Sequence, residues 1–259
     1  MTTTGSVGTF TPRPGAAPLS RQVLAQARME ARLMVRNGEQ LLLAVVIPVI
    51  VLVGGVTGSE HLGLSLDHDP VDVFAPGVLA LAIMSTAFTS LAIATGFERR
   101  YGVIKRLGAS PLPRSGLLLG KVGALLLVEV LQVVIIGGVA LALDWDPTPD
   151  VLGFVLAVAL GTAAFASLGL FVAGVLRAEA TLAAANLIYL LLLAGGAVVL
   201  PISAYGAFGG VVRWLPSGAL GSAMRAALID GTTSWRDLGV LVLWAAVGTT
   251  LTARTFKWE

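Results

Sequence analysis

The stretch Glu98-Arg99-Arg100-Tyr101-Gly102-Val103-Ile104-Lys105-Arg106-Leu107-Gly108-Ala109-Ser110-Pro111 separates two long apolar runs, residues 74–97 and 122–143. Each run is long enough to cross a hydrocarbon core of about 30 Å as a helix, so the charged block between them is a short loop pressed against one face of a membrane. Its basic residues place that face on the cytoplasmic side. As a short helix, the block would set Tyr101, Ile104 and Lys105 on one face and spread Arg99, Arg100 and Arg106 round the others. Leu107 and Leu112 would be its apolar anchors.

Composition agrees with a membrane reading. The 259 residues are 56% hydrophobic with a mean hydropathy of +0.88, and the apolar residues come in long runs instead of the alternation of soluble domains. The absence of cysteine excludes disulfide frameworks, thiolate metal sites and cysteine nucleophiles. A sequence pI near 9.3 would suit nucleic acid if the charge lay along one soluble face. Here it gathers at the ends of apolar runs, which is a topological signal.

Outward from the block, the runs predict an all-α integral membrane protein with six transmembrane helices. They cover residues 40–59, with Pro48 as a kink, then 74–97, then 122–143, interrupted by Glu129 and Gln132. The others are 151–176, 180–200, ended by Pro201, and 238–253, which Arg254 and Lys257 extend by snorkelling. Six spans put both termini on one side. With that side cytoplasmic, fourteen of the seventeen Lys and Arg residues lie inside and only Arg213, Arg225 and Arg236 lie outside. Trp145, Trp214 and Trp235 then mark the outer boundary and Trp258 the inner one.

Residues 1–19, rich in Thr, Gly and Pro, read as a disordered cytoplasmic tail and not as a signal peptide. Residues 20–259 read as one transmembrane domain. Ser20 is a candidate N-cap for a helix to Asn37 in which Arg21, Arg28, Arg32 and Arg36 share a stripe. Leu24, Ala27, Ala31, Met34 and Val35 lie on its other side, the pattern of an amphipathic interfacial helix. Between Pro201 and Asp237 the chain is too apolar for a solvated loop and too broken by Gly, Pro and Arg to cross. It predicts outer re-entrant helices between spans five and six.

Several chemistries are excluded. Gly116-Leu117-Leu118-Leu119-Gly120-Lys121-Val122 is one residue short of a phosphate-binding P-loop and has Val where Ser or Thr would hold Mg²⁺. No hydrolytic motif is present, and His61 and His68, beside Asp67 and Asp69, read as loop residues with no metal. Glu129 is an acid inside a span, which faces a cavity or a partner. Gln132 shares its helical face, and Asn186 in the fifth span is a packing partner for it. Cavity lining and helix packing both remain open for this group.

From residue 98 to residue 121 the chain resembles the permease subunits of type-2 ABC exporters, the class that includes antibiotic and polysaccharide exporters. The matching elements are Glu98, Arg99, Gly102, Arg106 and Leu107, then Ser110, Pro111, Arg114, Leu118, Leu119, Gly120 and Lys121. Leu200-Pro201-Ile202-Ser203, Trp214-Leu215-Pro216 and Arg225 resemble the family's outer re-entrant region. The resemblance implies a cytoplasmic coupling helix over residues 98–107, with Glu98, Arg99, Tyr101, Gly102, Lys105, Arg106 and Leu107 against a separate ATPase. It implies two copies of that ATPase, which carry the ATP and Mg²⁺, while this chain has no cofactor and no catalytic residue. A second permease copy or a related chain would complete the complex in a bacterial plasma membrane. The basic N-terminal helix would be a lever, and Pro201, Trp214, Pro216 and Arg225 would belong to an outer gate.

The alternative is an ion-coupled secondary transporter using Glu129, but no internal repeat of the kind such carriers show is visible. A polytopic membrane enzyme would want polar residues clustered at one interface, and here they are scattered. Spans with few polar groups favour a lipophilic or amphipathic cargo, drug-like or lipid-like.

Overall fold

The computed structural model describes residues 17–36, 38–62, 68–108 and 113–255, and every regular element among them is helical. Most of the expected tail, the Leu112 anchor, Lys257 and Trp258 lie outside the described residues. The chain opens with α1 (Leu19–Arg36) and α2 (Gly38–Leu62). Next comes a single rod, in which α3 (Pro70–Met84) runs through a π-helical turn at Ser85–Ser90 into α4 (Leu91–Arg100). The short α5 (Val103–Gly108) follows, then α6 (Arg114–Leu141), α7 (Val151–Val175) and α8 (Ala178–Gly195).

Among the described residues, five helices are long and apolar enough to cross a membrane: Pro70–Arg100, Gly116–Leu141, Val151–Val175, Ala178–Gly195 and Trp235–Thr255. The expected first span falls in α2, whose described apolar part, Ala44–Ser59, is shorter. The second expected span is the centre of the bundle. Its α3 segment buries nearly every side chain from Val71 to Met84, flanked by α2, α6, α7 and α10 (Pro216–Leu228). A helix surrounded in this way is apolar on all sides, which is why its sequence carries no amphipathic period.

The fifth span ends earlier than its sequence suggests. α8 stops at Gly195, and residues 196–200 are non-helical, with Ala197 in the left-handed region at φ 50° and fully buried. Hydropathy alone could not see this break, because Ala197, Val198 and Val199 are as apolar as the helix before them. A 3₁₀ segment (Ile202–Phe208) and α9 (Gly209–Val212) follow, then α10, which starts with Pro216 in its first turn. The last helix, α11 (Trp235–Thr255), packs along α7. Short helices therefore do fill the segment between the fifth and sixth expected spans.

Candidate functional site at the Lys121 junction

Three helices from distant parts of the sequence meet at Lys121, in the first turns of α6. Its Nζ donates to Glu98 Oε1 at the end of α4 (2.7 Å) and to Glu30 Oε1 on α1 (3.1 Å). Lys121 is only 6% exposed, so this ammonium has left water and depends on the two carboxylates. Gln26 donates its amide to the same Glu30 oxygen, at 2.9 Å. Gly120 lets α1 approach, because a Cβ there would lie 2.5 Å from Gln26 Cγ.

Glu30 was hidden in the sequence by the arginines around it. The signal was there nonetheless: Gln22, Gln26 and Glu30 recur every four residues on the face opposite the Arg stripe. The structure accordingly corrects the picture of α1. Ala31 is buried and Ala27 and Met34 are partly buried, facing α6 and not lipid. Leu19, Leu24, Met29 and Leu33 are exposed, and the last three flank the exposed Arg21, Arg28, Arg32 and Arg36.

The expected helix over residues 98–107 is two pieces. α4 ends at Arg100, Tyr101 and Gly102 form a turn, and α5 begins at Val103. Gly102 has φ +68°, which suits glycine, and its N–H donates to the Arg99 carbonyl at 3.1 Å. The turn separates residues that a continuous helix would have put together: Tyr101 is 65% exposed, whereas Ile104 is 3% exposed. Glu98 points back to Lys121 rather than outward. Arg99 donates to the carbonyls of Ala173 and Leu176 at the end of α7, where a cation complements the helix dipole. Arg100 pairs with Glu179 at the start of α8 and lies over the Tyr101 ring. Lys105 and Arg106 are exposed, and Leu107 is partly buried. The corner thus leaves Tyr101, Lys105 and Arg106 exposed on a base fixed to four other helices.

Polar groups also meet near the middle of the bundle. Gln132 on α6 donates to the Ala44 carbonyl of α2 (2.8 Å) and its amide lies against the Thr86 hydroxyl in the π-helical turn (2.9 Å). Glu129 is 1% exposed, and the Thr162 hydroxyl of α7 donates to its Oε2 at 2.7 Å. Asn186 is not its partner: it lies exposed on α8. The Glu129 Oε1 is buried without a hydrogen-bond partner, and no cation pairs with it among the described residues. Glu129→Gln keeps an acceptor for Thr162, so we expect transport to persist and stability to change by less than about 1 kcal/mol. Loss of transport with normal folding would instead give Glu129 an ion-coupling role.

At the opposite end of the bundle, Arg225 on α10 is 8% exposed and donates Nη2 to the carbonyls of Val198 (3.0 Å) and Val199 (2.7 Å). Burial pushes its guanidinium down to about 10, which leaves it charged at neutral pH. It supplies donors to the carbonyls that α8 gave up when it unwound. Pro201 precedes the 3₁₀ segment, and Pro216 is buried. The Trp214 carbonyl accepts from Trp244 Nε1 at 2.8 Å, while its ring lies under the Arg236 guanidinium. Arg225→Met leaves two buried carbonyls unpaired and should cost about 3 kcal/mol, read as thermal unfolding in detergent. Arg225→Lys, which reaches one carbonyl, should recover part of it.

A family model described as ABC-2 family transporter protein matches residues 69–254, well over half of the chain. Among curated proteins, none matches it.

Proposed function

Because the chain belongs to the ABC-2 family of transporter proteins, we propose that it is the permease subunit of an ATP-driven exporter. It carries no ATP-binding motif of its own. In this reading it has six spans, with α2 as the first, and both termini face the cytoplasm of a bacterial cell. Two copies of a cytoplasmic ATPase hold ATP and Mg²⁺ and do the hydrolysis. The permease works as a pair, with a second copy or a related chain.

The observation that carries the proposal is the Lys121 junction beneath α5. Tyr101, Lys105 and Arg106 are exposed on a short helix, where two cations suit acidic groups on an ATPase surface. Glu98, Gly102, Ile104 and Leu107 position that helix. A push on α5 is delivered through Glu98 to Lys121 and Glu30, so α1, α4 and α6 move together. α1 acts as a lever at the inner interface. At the far end, the Arg225 clamp holds the unwound end of α8, and the segment from Pro201 to Pro216 forms the outer gate. The apolar spans support a lipophilic or amphipathic cargo.

Mild-detergent purification of the tagged chain from its native membrane, with mass spectrometry of what accompanies it, tests the reading. A stoichiometric nucleotide-binding ATPase is the expected companion. A folded chain that brings down no ATPase would overturn the exporter reading.

A further inference from the structure

Three helices bound one cavity of about 630 Å³. Ala159, Ala163 and Ala166 on α7 form its floor, and Leu118, Val122 and Leu126 on α6 form one wall. Thr249, Thr252 and Ala253 on α11 form the other. Packing explains the gap: α11 lies along α7, whereas α6 lies on α1, α2 and α3. Alanines on the floor leave the space open. The cavity sits inside the apolar spans Gly116–Leu141, Val151–Val175 and Trp235–Thr255, so in a bilayer its mouth meets hydrocarbon.

Its hydroxyls are paired, with one exception. Thr162 donates to Glu129, Ser167 to the Ala164 carbonyl and Thr252 to the Ser167 carbonyl. Thr249 makes no side-chain hydrogen bond among the described residues. It stands about 9 Å from the Thr255 end of α11. At that end Arg254 is exposed and pairs with no carboxylate among the described residues.

We propose that this cavity binds one acyl chain of an anionic phospholipid, with an ester carbonyl accepting from Thr249 and the phosphate beside Arg254. The order of groups along α11 selects the occupant. A cation at the helix end, then a free hydroxyl, then an apolar trough repeats the order of phosphate, ester and chain in a phospholipid. The trough is long, running roughly 16 Å along α7 from Ala159 to Leu170. At about 30 Å³ per water-sized group it holds on the order of twenty heavy atoms. A compact polar ligand would want several convergent polar groups, and here one hydroxyl is free. The site needs only a membrane, so it stands whether or not an ATPase binds at α5.

The test reconstitutes the purified complex in phosphatidylglycerol vesicles in which one acyl chain carries a diazirine. Irradiation and mass spectrometry then map the adducts. Labelling of Val122, Ala163 and Thr249 should exceed that of Leu127 and Val130, on the exposed face of α6, by at least about tenfold, because each buried methylene holds the chain in place. Ala159→Phe with Ala163→Phe, both at exposed positions of the floor, should remove most of the cavity labelling and leave Leu127 and Val130 unchanged. Arg254→Gln should lower the preference for phosphatidylglycerol over phosphatidylcholine about fivefold, the effect of one basic residue at an anionic surface. Equal labelling of the cavity and the exposed face would mean ordinary surrounding lipid and would overturn the site. Labelling of the exposed face alone, the result if polypeptide fills the groove, would overturn it as well.

Discussion

Replacing Lys121 with Met is expected to destabilise the membrane domain by about 3–5 kcal/mol, because it leaves two carboxylates in a buried corner without their cation. Glu98 and Glu30 converge on that ammonium from α4 and α1, and among the described residues neither pairs with another cation. The damage should therefore appear first where those helices meet α6, and transport should fail with it. The cause can be separated from simple loss of a side chain. In the triple variant Lys121→Met, Glu98→Gln, Glu30→Gln, no charge remains to be buried, and most of the stability should return. Thermal unfolding in detergent reads both effects. A single variant within about 1 kcal/mol of the parent would mean that water reaches the corner and that the junction is not what holds α1 to the bundle.

The second large effect is functional and leaves the fold in place. Gly102→Pro should abolish the stimulation of the partner ATPase by the permease, with at least about a tenfold loss of transport, while insertion and thermal stability stay close to the parent. Proline fixes φ near −65° and has no N–H, whereas Gly102 has φ +68° and donates to the Arg99 carbonyl. The substitution must re-aim α5, which among the described elements packs mainly on α4. Gly102→Ala should fall between, since the left-handed region costs an alanine about 1–2 kcal/mol. Asparagine, which visits that region more readily, should be the mildest replacement. Full ATPase stimulation in Gly102→Pro would remove α5 from the coupling path.

The helices themselves were legible in the sequence because hydrocarbon is a strict solvent. Every backbone group in a span must be paired within the span, so a run of about 20 apolar residues has essentially one available structure. That constraint located α7 and α11 to within a few residues, and likewise the start of α8 and the end of α6, whereas α6 begins at Arg114, well before the expected residue 122. The charged block after residue 97 was legible for the same reason, as were the short helices after Pro201, where Gly, Pro and Arg interrupt an apolar stretch. The break at Gly196 was not legible, since hydropathy does not distinguish a helix from a buried non-helical strand of Val and Ala. What marks it is Arg225, almost thirty residues later, and that relation exists only once α10 has packed against the end of α8.

The same division runs through the candidate site. Sequence by itself determined which residues lie at which depth along the bundle: Glu98 and Lys121 near one end, Glu129 and Gln132 near the middle, Arg225 toward the other end. Depth follows from chain length along a helix, which is local. Only the tertiary structure decided who meets whom. It gave Lys121 to Glu98 and Glu30, Glu129 to Thr162 instead of Asn186, and left Asn186 facing outward. Pairing at equal depth depends on how each helix is rotated about its axis. In spans apolar on nearly every side that rotation is set by packing against neighbours, and no period in the sequence records it.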